Sequence, residues 1–107
     1  MYSNKWLKLG YQHGERNKVS TVANYEIWKN SENNIIGVTV NFEDADDYHY
    51  ELPIVEWMNF LEKVLKSTDL TSTQKLFQEF LTQNDGMFDF QDALDFHGVK
   101  YDKIAFY

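Results

Sequence analysis

Two side chains that could act together as a base and an orienting carboxylate, His49 and Glu51, are two residues apart in a segment that alternates like a β-strand. Such residues project to the same strand face, about 6.6–7 Å apart, so the pair could also supply two metal ligands. The local sequence offers no third group, although His13 or His97 could approach in the fold. A histidine on an exposed strand face is more often a simple polar residue. We therefore assign the pair to a partner-binding surface and predict no catalytic residue.

A turn rich in carboxylates precedes this pair and contains Glu43, Asp44, Asp46 and Asp47. Carboxylates closely spaced in a loop can bind Ca²⁺ or Mg²⁺. No glycine occupies the sixth position from Glu43, Asp44 or Asp46, and no glutamate occupies the twelfth, so the EF-hand pattern is absent. We predict no metal site; a protein-docking surface and a solvated hairpin turn both remain open.

A second acidic series, Asp89, Asp92 and Asp95, has the i, i+3, i+6 spacing of a stripe along a helix. Asp89 and Asp92 could stabilise the start of that helix through its dipole and free N–H groups. The sequence indicates no comparable structural role for Asp95. We predict that all three carboxylates belong to a partner-binding surface.

The charge of the chain divides along its length. Residues 1–29 carry a net +3 and residues 30–107 a net −10, which together give the formal net charge of −7. Such a surface repels nucleic acid and anionic lipid and attracts basic proteins. We predict a basic protein or ribonucleoprotein partner, no direct nucleic-acid binding and no membrane binding.

Two tryptophans, Trp6 and Trp28, fall on strand faces opposite the predicted apolar stripes. If the strands pair, the indoles could form an exposed aromatic patch, which is typical of an interface anchor. The alternative is that this sheet face is covered by the N-terminus or is partly buried.

Length and composition favour one domain. The 107 residues are 43% hydrophobic and 17% aromatic, enough for one core. Cysteine is absent, which excludes disulfides and thiolate ligands and suits a reducing compartment. No basic leader, no apolar run near the ~20 residues of a membrane span and no phosphate or nucleophile motif is recognisable. We therefore predict a cytoplasmic protein without a cofactor, as a monomer or homodimer.

Periodicity predicts an α+β domain with the order ββββ-ααα-β. Strands are predicted at 7–12, 19–29, 35–42 and 48–52, with a polar loop at 13–18, as an antiparallel meander. After Pro53, helices are predicted at 54–66, from a capping box formed by Thr71 and Gln74 to the turn at 84–86, and near 90–97. A C-terminal strand at 99–107 returns to the sheet.

Together these features predict a small acidic protein-binding inhibitor, of phage or mobile-element origin, that docks carboxylate clusters on a basic nucleic-acid-handling protein. Such an inhibitor would be of the anti-CRISPR or anti-restriction type, because rows of carboxylates can occupy a channel built for phosphates. Three alternatives stay open: a toxin-immunity protein, an accessory or structural protein of a phage or mobile element, and a small enzyme.

Overall fold

The strands of this protein pair in the order in which they occur along the chain. The computed structural model describes residue 6 and the ranges 9–21, 23–43, 48–84 and 86–105. The antiparallel sheet has the order β1-β2-β3-β4-β5. Its strands are β1 (Gln12–Lys18), β2 (Ala23–Lys29), β3 (Ile35–Phe42), β4 (Tyr48–Pro53) and β5 (Asp102–Ala105).

Three α-helices lie between β4 and β5: α1 (Ile54–Lys63), α2 (Thr73–Gln83) and α3 (Gly86–Phe96), with a short 3₁₀ turn at Leu70–Ser72 before α2. The element order confirms the predicted α+β class and the return of the C-terminal strand to the sheet. Within the described ranges, no helix combines the length and the apolar character that a bilayer span requires.

A cluster of aromatic rings joins the helices to one sheet face. Each helix contributes a fully buried phenylalanine, Phe60 from α1, Phe77 from α2 and Phe90 from α3. Their ring centroids lie 5.3 Å (Phe60–Phe77), 5.2 Å (Phe60–Phe90) and 5.4 Å (Phe77–Phe90) apart. The sheet side of this cluster includes Tyr25, Phe42 and Tyr50. These contacts fix the orientation of all three helices on the sheet.

The first strand differs from the prediction. The polar segment 13–18, predicted to be a loop, forms most of β1 and pairs with β2. Of the predicted strand 7–12, residues 7 and 8 lie outside the described residues, and the backbone N–H groups of Leu9 and Tyr11 both donate to the Trp6 carbonyl. Gly10 in this turn has φ +86°, which glycine adopts without a steric cost. The turn therefore delays the strand until Gln12.

Helix boundaries also shift. Thr71 and Gln74 do not form the predicted capping box, because Ser72 occupies the N-cap position and the Gln74 side chain donates to the Lys18 carbonyl at 2.9 Å. The third helix begins at Gly86, so Asp89 lies in its first turn rather than at its cap. Its end agrees with the prediction: Gly98 has φ +68°, and the Val99 N–H donates to the Leu94 carbonyl.

Candidate binding surface

The sheet face opposite the helices carries polar side chains that are nevertheless buried. We call this set the polar face; its buried members are Asn24, Glu26, Thr39, Asn41, His49 and Glu51. The strand register brings them together, because Asn24 pairs with Asn41, Asn41 with His49, and Thr39 with both Glu26 and Glu51. The expected exposed position of His49 and Glu51 is therefore wrong.

Hydrogen bonds and an ion pair compensate for part of this burial. Arg16 donates to Glu26 Oε1 through Nε at 3.1 Å and through a terminal guanidinium nitrogen at 2.6 Å. Asn41 Nδ2 donates to Asn24 Oδ1 at 2.9 Å and to Glu26 Oε2 at 3.1 Å. Because a buried charge is costly unless it is paired, these contacts allow Glu26 to occupy a position without solvent exposure.

His49 and Glu51 are close, yet they do not form a strong ion pair. His49 Nε2 lies 3.9 Å from Glu51 Oε2, and both side chains are buried. Burial lowers the pKa of His49 to about 4, although the negative charge of Glu26 partly opposes this shift. His49 is therefore neutral near pH 7. A side chain held inside the protein cannot reach a docked partner without a rearrangement of the polar face.

The two tryptophans are also buried, so the expected exposed aromatic patch is wrong and the alternative of a partly buried second face is correct. The solvent-exposed fraction is 6% for Trp6 and 3% for Trp28. Trp28 Nε1 donates to Thr39 Oγ1 at 3.1 Å. The Trp6 indole lies against Gly37, where an added Cβ would be 2.6 Å from Cζ2. The missing side chain at Gly37 thus provides the space for this ring.

The predicted carboxylate stripe lies on α3, and two of its members are accessible. Asp92 and Asp95 are exposed, while Asp89 is half-buried. The Tyr101 hydroxyl donates to Asp95 Oδ1 at 2.7 Å. The pKa of Tyr101 is raised to about 12, mainly by burial. Its hydrogen bond to Asp95 and the negative charges of Asp95 and Asp92 add to this shift. A protonated Tyr101 therefore holds the Asp95 carboxylate in place at neutral pH.

Two large aromatic side chains beside this stripe were not predicted as site residues. Phe88 is 59% exposed and Phe96 is 82% exposed. Residues at i, i+4 and i+8 share a helix face, so Phe88, Asp92 and Phe96 align on the side opposite the buried Phe90 and Leu94. We call Phe88, Asp92, Asp95 and Phe96 the outer face of α3. A helix predicted to begin near 90 excluded Phe88 and concealed this alignment.

Only one residue of the acidic turn can be placed. Glu43 is exposed directly after β3, whereas Asp44, Asp46 and Asp47 lie outside the described residues. The ring of the preceding residue, Phe42, is 5.5 Å from Phe90 of α3. This ring contact lies in the core, on the side of α3 opposite its exposed carboxylates.

An open groove of about 560 Å³ runs beside the outer face of α3. We call it the helix groove. It is lined by residues of the three helices and by residues that follow them: Asp89, Asp92, Ala93, Phe96, His97, Phe80, Asn84, Lys63, Val64 and Lys66.

No group of three or more His, Cys, Asp or Glu side chains that could hold a metal ion occurs among the described residues. A scan against family models, a search of curated proteins and a search of solved structures each found no match. The functional argument therefore depends on the chemistry and geometry of the outer face of α3 and of the groove beside it.

Proposed function

We propose that this protein is a small acidic binding domain that docks the outer face of α3 on a basic protein. The observation that carries the proposal is the exposure of Phe88 and Phe96 on the same helix face as Asp92 and Asp95. Protein interfaces are enriched in aromatic side chains, and a few such anchors carry most of the binding energy.

The carboxylates give this surface its preference for a partner. Asp92 and Asp95 are exposed on this face, and Glu43, the first residue of the acidic turn, is exposed as well. Complementary charge speeds association and discriminates against partners of the wrong sign. With a formal net charge of −7, the chain as a whole also attracts a cationic surface.

The partner class that fits best is a nucleic-acid-handling protein, and binding would inhibit it. Such proteins carry cationic channels matched to phosphate groups. Helix residues three apart are separated by about 5–6 Å, so Asp92 and Asp95 have a spacing close to that of successive phosphates. Inhibition of the anti-CRISPR or anti-restriction type would follow from occupation of such a channel.

The test begins with capture of a partner from nuclease-treated host lysate, followed by titrations with the purified partner over a range of salt concentrations. The variant Asp92→Asn/Asp95→Asn/Phe96→Ala should weaken binding at least tenfold, equivalent to about 1.4 kcal/mol. The carboxylate changes should act mainly through the association rate and most strongly at low salt.

A charge-matched control is available in Glu32→Gln/Glu79→Gln. These glutamates are exposed, and neither belongs to the outer face of α3 or lines the helix groove. Equal affinities of the control and of the α3 variant would contradict the proposed docking surface. A captured partner whose nucleic-acid binding or cleavage is unaffected would contradict the inhibitor class while leaving the docking surface intact.

A further inference from the structure

The helix groove has the chemistry to recognise a particular kind of segment in the basic partner. We infer that it holds an amphipathic helix with an apolar ridge, lysine or arginine along one flank and acidic residues along the other. This inference rests on the proposed function, since it specifies what the partner presents to α3.

Part of the groove lining is apolar. Val64, Phe80 and Ala93 are half-buried, so each still offers surface to a ligand, and the exposed ring of Phe96 extends this apolar lining. The α3 residues that line the groove run from Asp89 to Phe96, which at about 1.5 Å per residue spans about 11 Å. An amphipathic helix lying in such a groove presents apolar anchors at i, i+3, i+4 and i+7.

Charges of opposite sign line the groove and come from different helices and the segments that follow them. Asp89 and Asp92 belong to α3, whereas Lys63 ends α1 and Lys66 follows it. Among the described residues, neither lysine is paired with a carboxylate within 4.0 Å, and Asp92 is likewise not in an ion pair. The charges of Lys63, Lys66 and Asp92 are therefore available to a ligand.

The arrangement selects against a segment that is basic on both flanks. Lysine or arginine facing Asp92 would be attracted, but the same residues facing Lys63 and Lys66 would be repelled. Specificity often depends on such a repulsive element as well as on the attractive one. The two lysines therefore explain why an acidic protein would recognise one amphipathic pattern instead of any cationic helix.

Three synthetic peptides of about 14 residues, each about 21 Å long as a helix, test the inference. The first peptide has a ridge of leucines, with lysines along one flank and glutamates along the other. The second has the same flanks but serines in place of the leucines. The third has the leucine ridge with lysines along both flanks. At about 150 mM salt, where exposed charges are screened beyond about 8 Å, the first should bind at least tenfold more tightly than either of the others. It should also shift the methyl NMR signals of Val64 and Ala93.

The variant Lys63→Glu/Lys66→Glu should reverse the preference, so that the peptide with two lysine flanks binds more tightly than the peptide with mixed flanks. Both lysines are exposed, and the fold of the variant can be verified by circular dichroism. An unchanged order of affinities would overturn the inference, as would equal binding of the leucine and serine ridges.

These outcomes are distinguishable from failure of the proposed function. If the peptides bind to Asp92 and Asp95 with no dependence on the ridge, the docking surface stands and the groove assignment falls. If all three peptides leave the α3 signals unchanged, the groove assignment falls, and the docking surface falls only if the α3 variant also binds the purified partner as tightly as the parent does.

Discussion

Acidification should destabilise this protein through His49. The imidazole is fully buried on the polar face, where Glu26 and Glu51 are the nearby carboxylates among the described residues, and burial lowers its pKa from 6.5 to about 4. Because the folded state takes up the proton less readily than the unfolded state, protonation favours unfolding. The contribution to stability is fully present above the unfolded-state pKa and decreases as the pH falls toward 4.

The magnitude follows from the two pKa values. A difference of about 2.5 units corresponds to a limit of about 3 kcal/mol at 1.36 kcal/mol per unit. At about pH 5 the unfolded histidine is almost fully protonated while the folded one is not, so about 2 kcal/mol of stability should already be lost.

Urea unfolding at about pH 7.5 and about pH 5 measures this loss, with His49→Gln as the comparison. The variant keeps every carboxylate and the other histidines, so the difference between the two pH slopes isolates His49. If the variant does not fold, an NMR titration of the parent gives the same information, since the His49 ring signals should not titrate above about pH 5. Equal slopes in parent and variant, or a His49 titration near its ordinary pKa, would refute this reasoning.

Two further changes test the interior and the polar face. Phe77→Ala should lower the free energy of unfolding by about 3–5 kcal/mol because it removes a fully buried ring from the three-helix cluster; a thermal melt equal to that of the parent would contradict the assignment of this core. Arg16→Gln should cost about 1.5–3 kcal/mol because Glu26 loses a charge-assisted contact at 2.6 Å. Lys18→Gln on the same strand is the matched control, and equal urea midpoints for these two variants would show that the ion pair contributes nothing.

The periodicity of apolar residues is sufficient to predict a strand or helix when one side of that element is apolar. The alternation of Val38, Val40 and Phe42 predicts β3 with the bounds that the structure has, and the spacing of Trp57 and Leu61 predicts the buried side of α1. The same logic could not find β1, because residues 13–18 contain no apolar side chain from which a period could be counted.

Burial of the polar face could not be predicted for a different reason. A polar residue on alternate strand positions normally indicates solvent, and the sequence does not show that Glu26 will meet Arg16 or that Trp6 will pack on Gly37. These contacts join residues distant along the chain. Four predicted partner-binding residues were expected to be exposed but are buried: His49, Glu51, Trp6 and Trp28. Asp92 and Asp95 are exposed as expected.

Because both sides of β3 are buried, its pairing register with β2 and β4 is strongly specified. Successive residues of a strand face opposite sides, so a slip of one residue would move Thr39 and Asn41 among the aromatic rings and Val38 and Val40 onto the polar face. The slipped strand would lose the hydrogen bonds that Thr39 and Asn41 make and would leave their polar groups buried, at about 1–3 kcal/mol each. In a sheet with one solvent-exposed face, only the side packed on the apolar core disfavours a slipped pairing. In β3 a slipped pairing is unfavourable on both sides of the strand. We therefore expect strand exchange between copies of the chain to be disfavoured.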